Sequence, residues 1–287
     1  MERLCDISYI RNLLDRHGFR FSKSLGQNFL IDPEVPRKIA ELAGLDGDTG
    51  VVEIGPGIGA LSCQLCRRAK RVVAVELDVD LPPLLEETLC GCDNFVLVQG
   101  DVLKLDLERL VEEQLAGLRP VVCANLPYNI TSPAITRLIE CGRFETMTLM
   151  VQREVAQRIC AAPGGSDYGA FSVFVQYYYE AELALTVPPE SFVPAPKVWS
   201  AVVQLRRRTQ PPQTLVDERA FFKVVRAAFA QRRKVLANSL CTAFAGELDK
   251  AQLNGILQSL GFPITVRGEE LSMEDFARLA LAIREAS

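Results

Sequence analysis

The fold is decided by the stretch Val51-Val52-Glu53-Ile54-Gly55-Pro56-Gly57-Ile58-Gly59. Its first four residues are mostly apolar, which is typical of a short buried strand, and the glycines that follow predict a loop before a helix. Because glycine has no Cβ, such a loop lets a ligand approach the backbone closely. In an open α/β sheet the ligand crevice lies at the carboxyl ends of the strands, so the loop is a candidate binding site.

Apolar strands alternate with helical stretches downstream of this loop. We predict helices at 60–68 and 81–89 and strands at 51–54, 71–75, 95–98, 120–124 and 147–151. This alternation favours an α/β fold: a Rossmann-like, doubly wound and mostly parallel sheet with helices on both faces. Three later apolar segments are expected to complete the sheet as antiparallel strands, at 171–179, 182–187 and 198–205.

The composition shifts near residue 206, where Arg206-Arg207-Arg208-Thr209-Gln210-Pro211-Pro212 is typical of a linker. Only helical patterns follow it, near 217–231, 233–244, 248–260 and 272–285. We therefore predict two domains, a sheet-containing domain over 1–205 and a small all-α domain over 206–287. A length of 287 residues agrees with two domains at roughly 150 residues each.

Composition excludes several classes of protein. With 48% hydrophobic and 24% charged residues the chain is not intrinsically disordered, and a net charge of −4 excludes a uniformly basic surface. No run approaches the roughly 18 apolar residues of a membrane span, and the first residues contain no apolar segment typical of a secretory signal. We expect a cytoplasmic protein that does not bind membranes and whose nine cysteines are reduced.

Two cysteine spacings raise the alternative of a metal site, Cys63-x-x-Cys66 and Cys90-x-Cys92. The first is also the spacing of two small buried residues one helical turn apart. There is no second C-x-x-C, and the sequence contains one histidine. We expect no metal.

Acidic residues follow the second and third predicted strands. Glu76 lies 21 positions after Gly55, where a carboxylate at the end of the second strand accepts hydrogen bonds from ribose hydroxyls. The glycine spacing is G-x-G-x-G rather than the G-x-G-x-x-G of dinucleotide sites, and it resembles the first motif of S-adenosylmethionine-dependent methyltransferases. Asp101, after the third strand, lies where such enzymes place an acceptor for the adenine amine. The alternative is a glycine turn without a ligand.

The turn Asn125-Leu126-Pro127-Tyr128 follows the fourth predicted strand and therefore faces the same crevice. An exocyclic aromatic amine donates two N–H bonds, which the Asn125 side-chain oxygen and the Leu126 carbonyl can accept. Pro127 fixes the backbone angle, and Tyr128 offers a flat face on which a base can stack. An ordinary strand-terminating turn is the alternative interpretation.

Together these residues resemble the ribosomal RNA adenine dimethyltransferase family, over nearly the whole chain. The matching segments include Gln27–Leu30, 52–61, 76–78, 100–103, 125–130, 150–156, 168–169, 176–178, 187–198, 229–234 and Asn238. The resemblance implies S-adenosyl-L-methionine as cofactor and N6-dimethylation of two adjacent adenosines near the 3′ end of 16S rRNA, within the small ribosomal subunit, in ribosome biogenesis. We expect the enzyme to be a monomer.

The resemblance also implies roles for single residues. The residues implied to bind and orient the target base, and so to be catalytic, are Asn125, Leu126, Pro127, Tyr128 and Phe192. The residues implied to bind the cofactor are Gln27, Asn28, Leu30, Gly55, Gly57, Glu76, Asp101, Val102 and Asn125. Two positions depart from the expected pattern. Ser62 stands where the family leads us to expect threonine, and Leu81-Pro82-Pro83 is expected to interrupt the helix on the adenine side.

A basic segment lies between Lys197 and Lys234, with ten Lys or Arg residues against two acidic ones. Its concentration in a chain of negative net charge favours a phosphate-binding surface, although charge runs are usually solvated faces. The residues that we expect to contact RNA are Lys23, Lys197, Arg226, Arg232, Arg233 and Lys234.

Two other functions compete. The first is a large-subunit rRNA adenine methyltransferase of the antibiotic-resistance type, against which the Leu of Asn-Leu-Pro-Tyr and the Pro188–Phe192 segment weigh. The second is a ribosome-assembly or transcription-associated protein that binds without catalysing. The intact glycine loop and the intact 125–128 turn argue against a loss of catalysis.

Replacing Arg232 and Arg233 together by Glu is expected to weaken RNA binding and to flatten its salt dependence, because contacts with phosphates release counterions. The affinity for the cofactor is expected to stay unchanged. RNA affinities measured over a series of salt concentrations test this, and an unaltered salt slope would refute the basic surface.

Overall fold

The computed structural model describes residues 2–22, 25–210, 217–231 and 234–286. The chain forms two compact units. One comprises Met1–Ala156 and Ala181–Arg207, and the other comprises Gln157–Glu180 and Arg208–Ser287.

Within the described residues the sheet has seven strands: β2 (Thr49–Ile54), β3 (Arg71–Glu76), β4 (Phe95–Gln99), β5 (Arg119–Asn125), β6 (Thr146–Gln152), β7 (Tyr179–Val187) and β9 (Ser200–Arg207). Their order across the sheet is β4-β3-β2-β5-β6-β9-β7. The first five of that spatial order are parallel, and β9 pairs antiparallel with β6. The predicted Rossmann-like α/β sheet is confirmed. Two short strands, β1 (Phe29–Leu30) and β8 (Phe192–Val193), form a separate antiparallel pair.

Helices connect the parallel strands, as the βαβ geometry requires. The helices before residue 180 are α1 (Ile7–Arg16), α2 (Glu34–Leu42), α3 (Ala60–Cys66), α4 (Pro82–Thr88), α5 (Leu107–Gln114), α6 (Thr131–Cys141), α7 (Arg153–Ile159) and α8 (Ala170–Tyr178), and α3 to α6 are the ones that connect parallel strands. Every residue of β2 is buried. One face of the sheet packs through Val51, Val72 and Val121 against Ile39 of α2 and Leu61 of α3.

The prolines at 82 and 83 begin α4 rather than interrupt it, so the expected interruption is wrong. Both occupy the first turn of the helix, where no intrahelical partner exists for a backbone N–H. Leu81, directly before them, is 1% exposed and packs in a core with α1.

Residues 171–178 form the helix α8, so the strand predicted at 171–179 is wrong. Aromatic and β-branched residues dominate the segment and favour a strand by local preference alone. In the structure the Tyr177 ring lies 5.0 Å from that of Phe221, and the Phe174 ring lies 5.8 Å from that of Phe222. Tertiary packing against an aromatic helix therefore overrides the local preference.

The second unit is built around the helices α9 (Glu218–Phe229), α10 (Leu236–Ala243), α11 (Lys250–Ser259) and α12 (Met273–Ala286). Its core includes Phe221, Leu240 and Phe276, and also Tyr168 and Val173 from the earlier segment. Because these aromatic and apolar contacts hold 157–180 in the helical core, the second unit starts earlier in the chain than the boundary predicted at residue 206.

No helix in the described ranges has both the length and the apolar character needed to cross a membrane.

A Gly268→Ala substitution is expected to destabilise the protein by about 1–3 kcal/mol through overpacking. A Cβ at this buried position would lie 2.8 Å from the backbone oxygen of Ala228 and 2.9 Å from its Cβ. The matched control is Gly255→Ala in α11, where a Cβ meets no atom within 4 Å and the helix is expected to gain about 1 kcal/mol. Denaturant unfolding of both variants tests this; equal stabilities would contradict it.

Candidate active site

One cavity lies at the carboxyl ends of β2, β3, β4 and β5. Adjacent parallel strands end at the same edge of a sheet, so the loops that follow them converge there. The cavity occupies about 1010 Å³, including space open to solvent. Twelve residues that the sequence predicted for the site line it: Gln27, Asn28, Leu30, Gly55, Gly57, Glu76, Asp101, Val102, Asn125, Leu126, Pro127 and Tyr128.

The glycine loop after β2 adopts left-handed backbone conformations that side chains rarely allow, and it lies against its neighbours. Gly55 has a φ of +67°, and a Cβ there would lie 3.4 Å from Cγ of Pro127. Gly57 has a φ of +60°, and its Cβ would lie 3.2 Å from the Phe29 ring. Both positions therefore require glycine, and the loop leaves its backbone open to the cavity.

The N-terminal loop closes one side of the cavity. The side-chain amide of Gln27 donates to Asp78 Oδ2 at 2.5 Å, and its Oε1 accepts from the Ser22 N–H at 2.9 Å. Gly26 packs against Asn129, whose Oδ1 would lie 3.1 Å from a Cβ at residue 26. The structural roles of Asp78 and Asn129 were not predicted, because they depend on contacts between segments far apart in the sequence.

Glu76 ends β3 with its carboxylate in the cavity wall. Its Oε1 accepts a 2.7 Å bond from the Asp78 N–H. Burial raises the pKa of Glu76 to about 7, with the Asp78 charge acting in the same direction and backbone N–H donors opposing it. The carboxylate is thus an acceptor held among backbone donors, which suits it to hydroxyl groups of a ligand.

Asp101 follows β4 on the adjoining wall of the cavity. Its Oδ1 accepts from the Leu103 N–H at 2.9 Å, and its Oδ2 lies 3.6 Å from Nζ of the exposed Lys104. The backbone contact fixes the carboxylate, which leaves an acceptor oriented at the rim.

Glu53 is a buried carboxyl group below the glycine loop, and sequence reasoning did not single out its chemistry. It is 1% exposed, and neither its Oε2 nor Ser62 Oγ has an aligned hydrogen bond to another described residue. Burial raises the pKa of Glu53 to about 8; the nearby Ser62 hydroxyl opposes this and the charge of Glu76 adds to it. At neutral pH the carboxyl is therefore largely protonated.

The reacting turn is held by bonds to the neighbouring strands. The Leu126 N–H donates to the Met150 carbonyl at 3.0 Å, and the Tyr128 hydroxyl lies 2.6 Å from Ser200 Oγ. The Pro127 carbonyl accepts a hydrogen bond from the Ile130 N–H at 3.2 Å. The Asn125 side chain lines the cavity and makes no hydrogen bond to another residue of the described ranges, so its amide oxygen is available to a ligand.

Phe192 is not brought to the cavity lining, as far as the described residues show. It is 2% exposed and packs in the core with Leu30, its partner in the β1–β8 pair. In this arrangement its ring supports Leu30, which does line the cavity.

The predicted RNA contacts divide into two groups. Lys197, Arg226 and Lys234 are exposed, whereas Lys23, Arg232 and Arg233 lie outside the described residues. Other cations of the basic segment have structural partners. Arg208 pairs with Glu180 at 3.0 Å, and Lys223 pairs with Glu247 at 2.9 Å. Only part of the basic segment is therefore available to a ligand.

The nine cysteines are free thiols. In the described part of the chain no group of three or more His, Cys, Asp or Glu side chains is placed to hold a metal ion.

Three features lie together at one edge of the Rossmann-like sheet: the glycine loop after β2, the Glu76 carboxylate at the end of β3 and the Asn-Leu-Pro-Tyr turn after β5. Together they define the class of nucleic-acid amino-methyltransferases. Residues 18–279 match the family described as Ribosomal RNA adenine dimethylase. The chain belongs to this family, and it is an rRNA adenine methyltransferase.

Relatives agree with this membership. A Ribosomal RNA small subunit methyltransferase A of Geobacillus thermodenitrificans is 49% identical over 95% of this chain and 94% of its own. One from Bacillus mycoides is 45% identical over the same shares. A dimethyladenosine transferase from Plasmodium falciparum has a TM-score of 0.74 and 26% identity over 90% of this chain and 98% of its own. The 23S rRNA methyltransferase ErmE has a TM-score of 0.68 and 28% identity, and the match covers 90% of this chain and 100% of its own.

Replacing Glu53 by Gln is expected to make stability less sensitive to pH. A carboxyl group whose folded pKa is about 8 and whose unfolded pKa is near 4.5 binds more protons in the folded state, so the wild type loses stability as pH rises from about 5 to 8. The variant has no such group at this position. Melting temperatures of both proteins across this range test it, and parallel curves would contradict it.

Proposed function

We propose that this enzyme transfers methyl groups from S-adenosyl-L-methionine to N6 of two adjacent adenosines near the 3′ end of 16S rRNA, dimethylating each within the small ribosomal subunit. The observation that carries the proposal is the Asn125 amide, which is free of other described residues and lies in the same cavity as Glu76 and Asp101. The site thus offers acceptors for a nucleoside and, beside them, an acceptor for an amine.

The described residues fit the methyl donor. The glycine loop contains two positions where a side chain would clash or be strained, which leaves room for an amino-acid moiety against the backbone. Glu76 supplies a carboxylate for ribose hydroxyls, and Asp101 supplies an acceptor for the adenine amine. Gln27, Asn28 and Leu30 close the cavity from the N-terminal side, and Gly57 and Val102 complete its walls.

When bound, the donor supplies a sulfonium methyl carbon. The chain's residues orient the accepting amine toward it. Asn125 Oδ1 and the Leu126 carbonyl accept its two N–H groups, which localises the nitrogen lone pair for attack. Tyr128, whose hydroxyl is held by Ser200, presents its ring to the adenine. The transfer would leave a neutral thioether and a positively charged amine nitrogen, whose proton would then pass to water. No strong general base is therefore needed, and positioning and desolvation supply most of the acceleration.

Assignment to the small subunit rests on the relatives. Those named for the small subunit are 45–49% identical over nearly the whole chain, whereas the large-subunit enzyme ErmE is 28% identical. We further propose that the enzyme is a cytoplasmic monomer. The unit formed by 1–156 and 181–207 is its catalytic domain, and the helical residues after 207 contact RNA through the exposed Arg226 and Lys234, together with Arg232 and Arg233.

The direct test is incubation with labelled methyl donor and small subunits from cells that lack this activity, followed by digestion to locate the label. We expect label on two adjacent adenosines near the 3′ end of the small-subunit RNA. Label on large-subunit RNA would favour the antibiotic-resistance type of enzyme, and no label on either would refute the proposal.

Replacing Asn125 by Ala is expected to reduce single-turnover methyl transfer by about 100-fold or more, because one of two acceptors that orient the amine is removed. Donor affinity, measured by calorimetry, should change little. Asn12→Ala on the surface of α1 is the matched control and should behave as the wild type. Near-normal transfer by the Asn125 variant would remove this residue from the mechanism.

A further inference from the structure

The sequence contains a single tryptophan, Trp199, and 43% of it is exposed. Large aromatic side chains are usually mostly buried, so an exposed indole ring needs a reason. Val198 beside it is 39% exposed, whereas the following residue, Ser200, is fully buried. The Trp199 ring thus lies at the surface, while the buried Ser200 fixes the backbone that follows it.

That anchoring places Trp199 beside the reacting turn. Ser200 begins β9 opposite Gln152, the last residue of β6, and the Arg153 N–H donates to the Trp199 carbonyl at 2.9 Å. Trp199 therefore lies at the carboxyl end of β6, the same edge of the sheet where β5 ends at Asn125. Ser200 itself contacts the Tyr128 hydroxyl at 2.6 Å.

A basic side chain lies over the ring. The guanidinium carbon of Arg153 lies 5.8 Å from the centre of the Trp199 ring, within cation–π range. Arg153 and Lys197 are both exposed, and neither pairs with an acidic side chain in the described ranges. An aromatic face next to unpaired cations is the combination that single-stranded nucleic acids bind, bases on the ring and phosphates on the cations.

We propose that Trp199 stacks on the base of a nucleotide that flanks the target adenosine in the RNA, while Arg153 and Lys197 hold the adjoining phosphates. Turning an adenosine into the cavity breaks its stacking with its neighbours, and a protein ring can replace part of that loss. The inference rests on the proposed function, since it takes the substrate to be RNA entering this cavity. It adds a binding position outside the cavity itself.

Because Trp199 is the chain's one tryptophan, its fluorescence reports on this ring alone. The probe is a short single-stranded RNA that contains two adjacent adenosines, titrated into the wild-type protein. We expect saturating quenching with the same midpoint as the anisotropy of an end-labelled copy of this RNA. Unchanged emission at saturation, or no binding of the RNA, would overturn the inference.

Kinetics with undermethylated small subunits provide the second test. Trp199→Ala is expected to raise the KM for subunits about 5- to 100-fold and to leave kcat and the KM for the methyl donor within about twofold. Trp199→Phe keeps an aromatic face and should recover most of the loss. Ile264→Ala, which removes another exposed apolar side chain (50% exposed), is the matched control and should have no effect.

The outcomes separate the inference from the proposed function. If the wild type methylates subunits and a folded Trp199→Ala protein has the same KM, the stacking position is refuted and the proposed function stands. If Trp199→Phe is as impaired as Trp199→Ala, the ring does not act by stacking and the inference fails. If the wild type methylates no subunit, the proposed function fails, and the fluorescence titration still decides whether the ring contacts RNA.

Discussion

The close approach of Gly55 to Pro127 is the constraint on which the site depends. A Cβ at Gly55 would lie 3.4 Å from the proline ring, so the loop after β2 and the turn after β5 are in contact. The contact follows from topology, because β2 and β5 are adjacent parallel strands whose carboxyl ends lie together. It brings the residues that we propose for the donor next to those that we propose for the accepting amine, which is the proximity that group transfer requires.

Two buried carboxyl groups set the electrostatics of this edge. Glu76 meets backbone donors and serves as an acceptor, whereas Glu53 lies deeper without an aligned partner and is largely protonated at neutral pH. Burying a carboxylate without a partner is costly, and protonation relieves that cost. A neutral Glu53 also limits repulsion with Glu76, the carboxyl group that we propose for the ribose hydroxyls.

Local pattern predicted the parallel strands and the glycine loop, because short apolar runs bounded by glycine allow few alternatives. The same reasoning failed at α8, where aromatic residues favour a strand locally but pack as a helix against Phe221 and Phe222. The family resemblance, not local pattern, placed Phe192 at the base, whereas the ring lies in the core with Leu30. No sequence pattern indicated a role for Trp199. The role that we propose depends on Arg153, which the pairing of β6 with β9 brings next to the ring.

The sequence by itself determined the fold class, from strand periodicity, and the family, from the resemblance of its motifs. It also named most residues that converge on the cavity, some from motifs at strand ends and others, such as Gln27 and Asn28, from the resemblance. Tertiary structure alone decided which residues reach the lining, which cations remain unpaired and where the second unit begins. The physical reason is that burial, ion pairing and aromatic packing are contacts between segments distant in the chain, and no local pattern encodes the partner that a side chain meets.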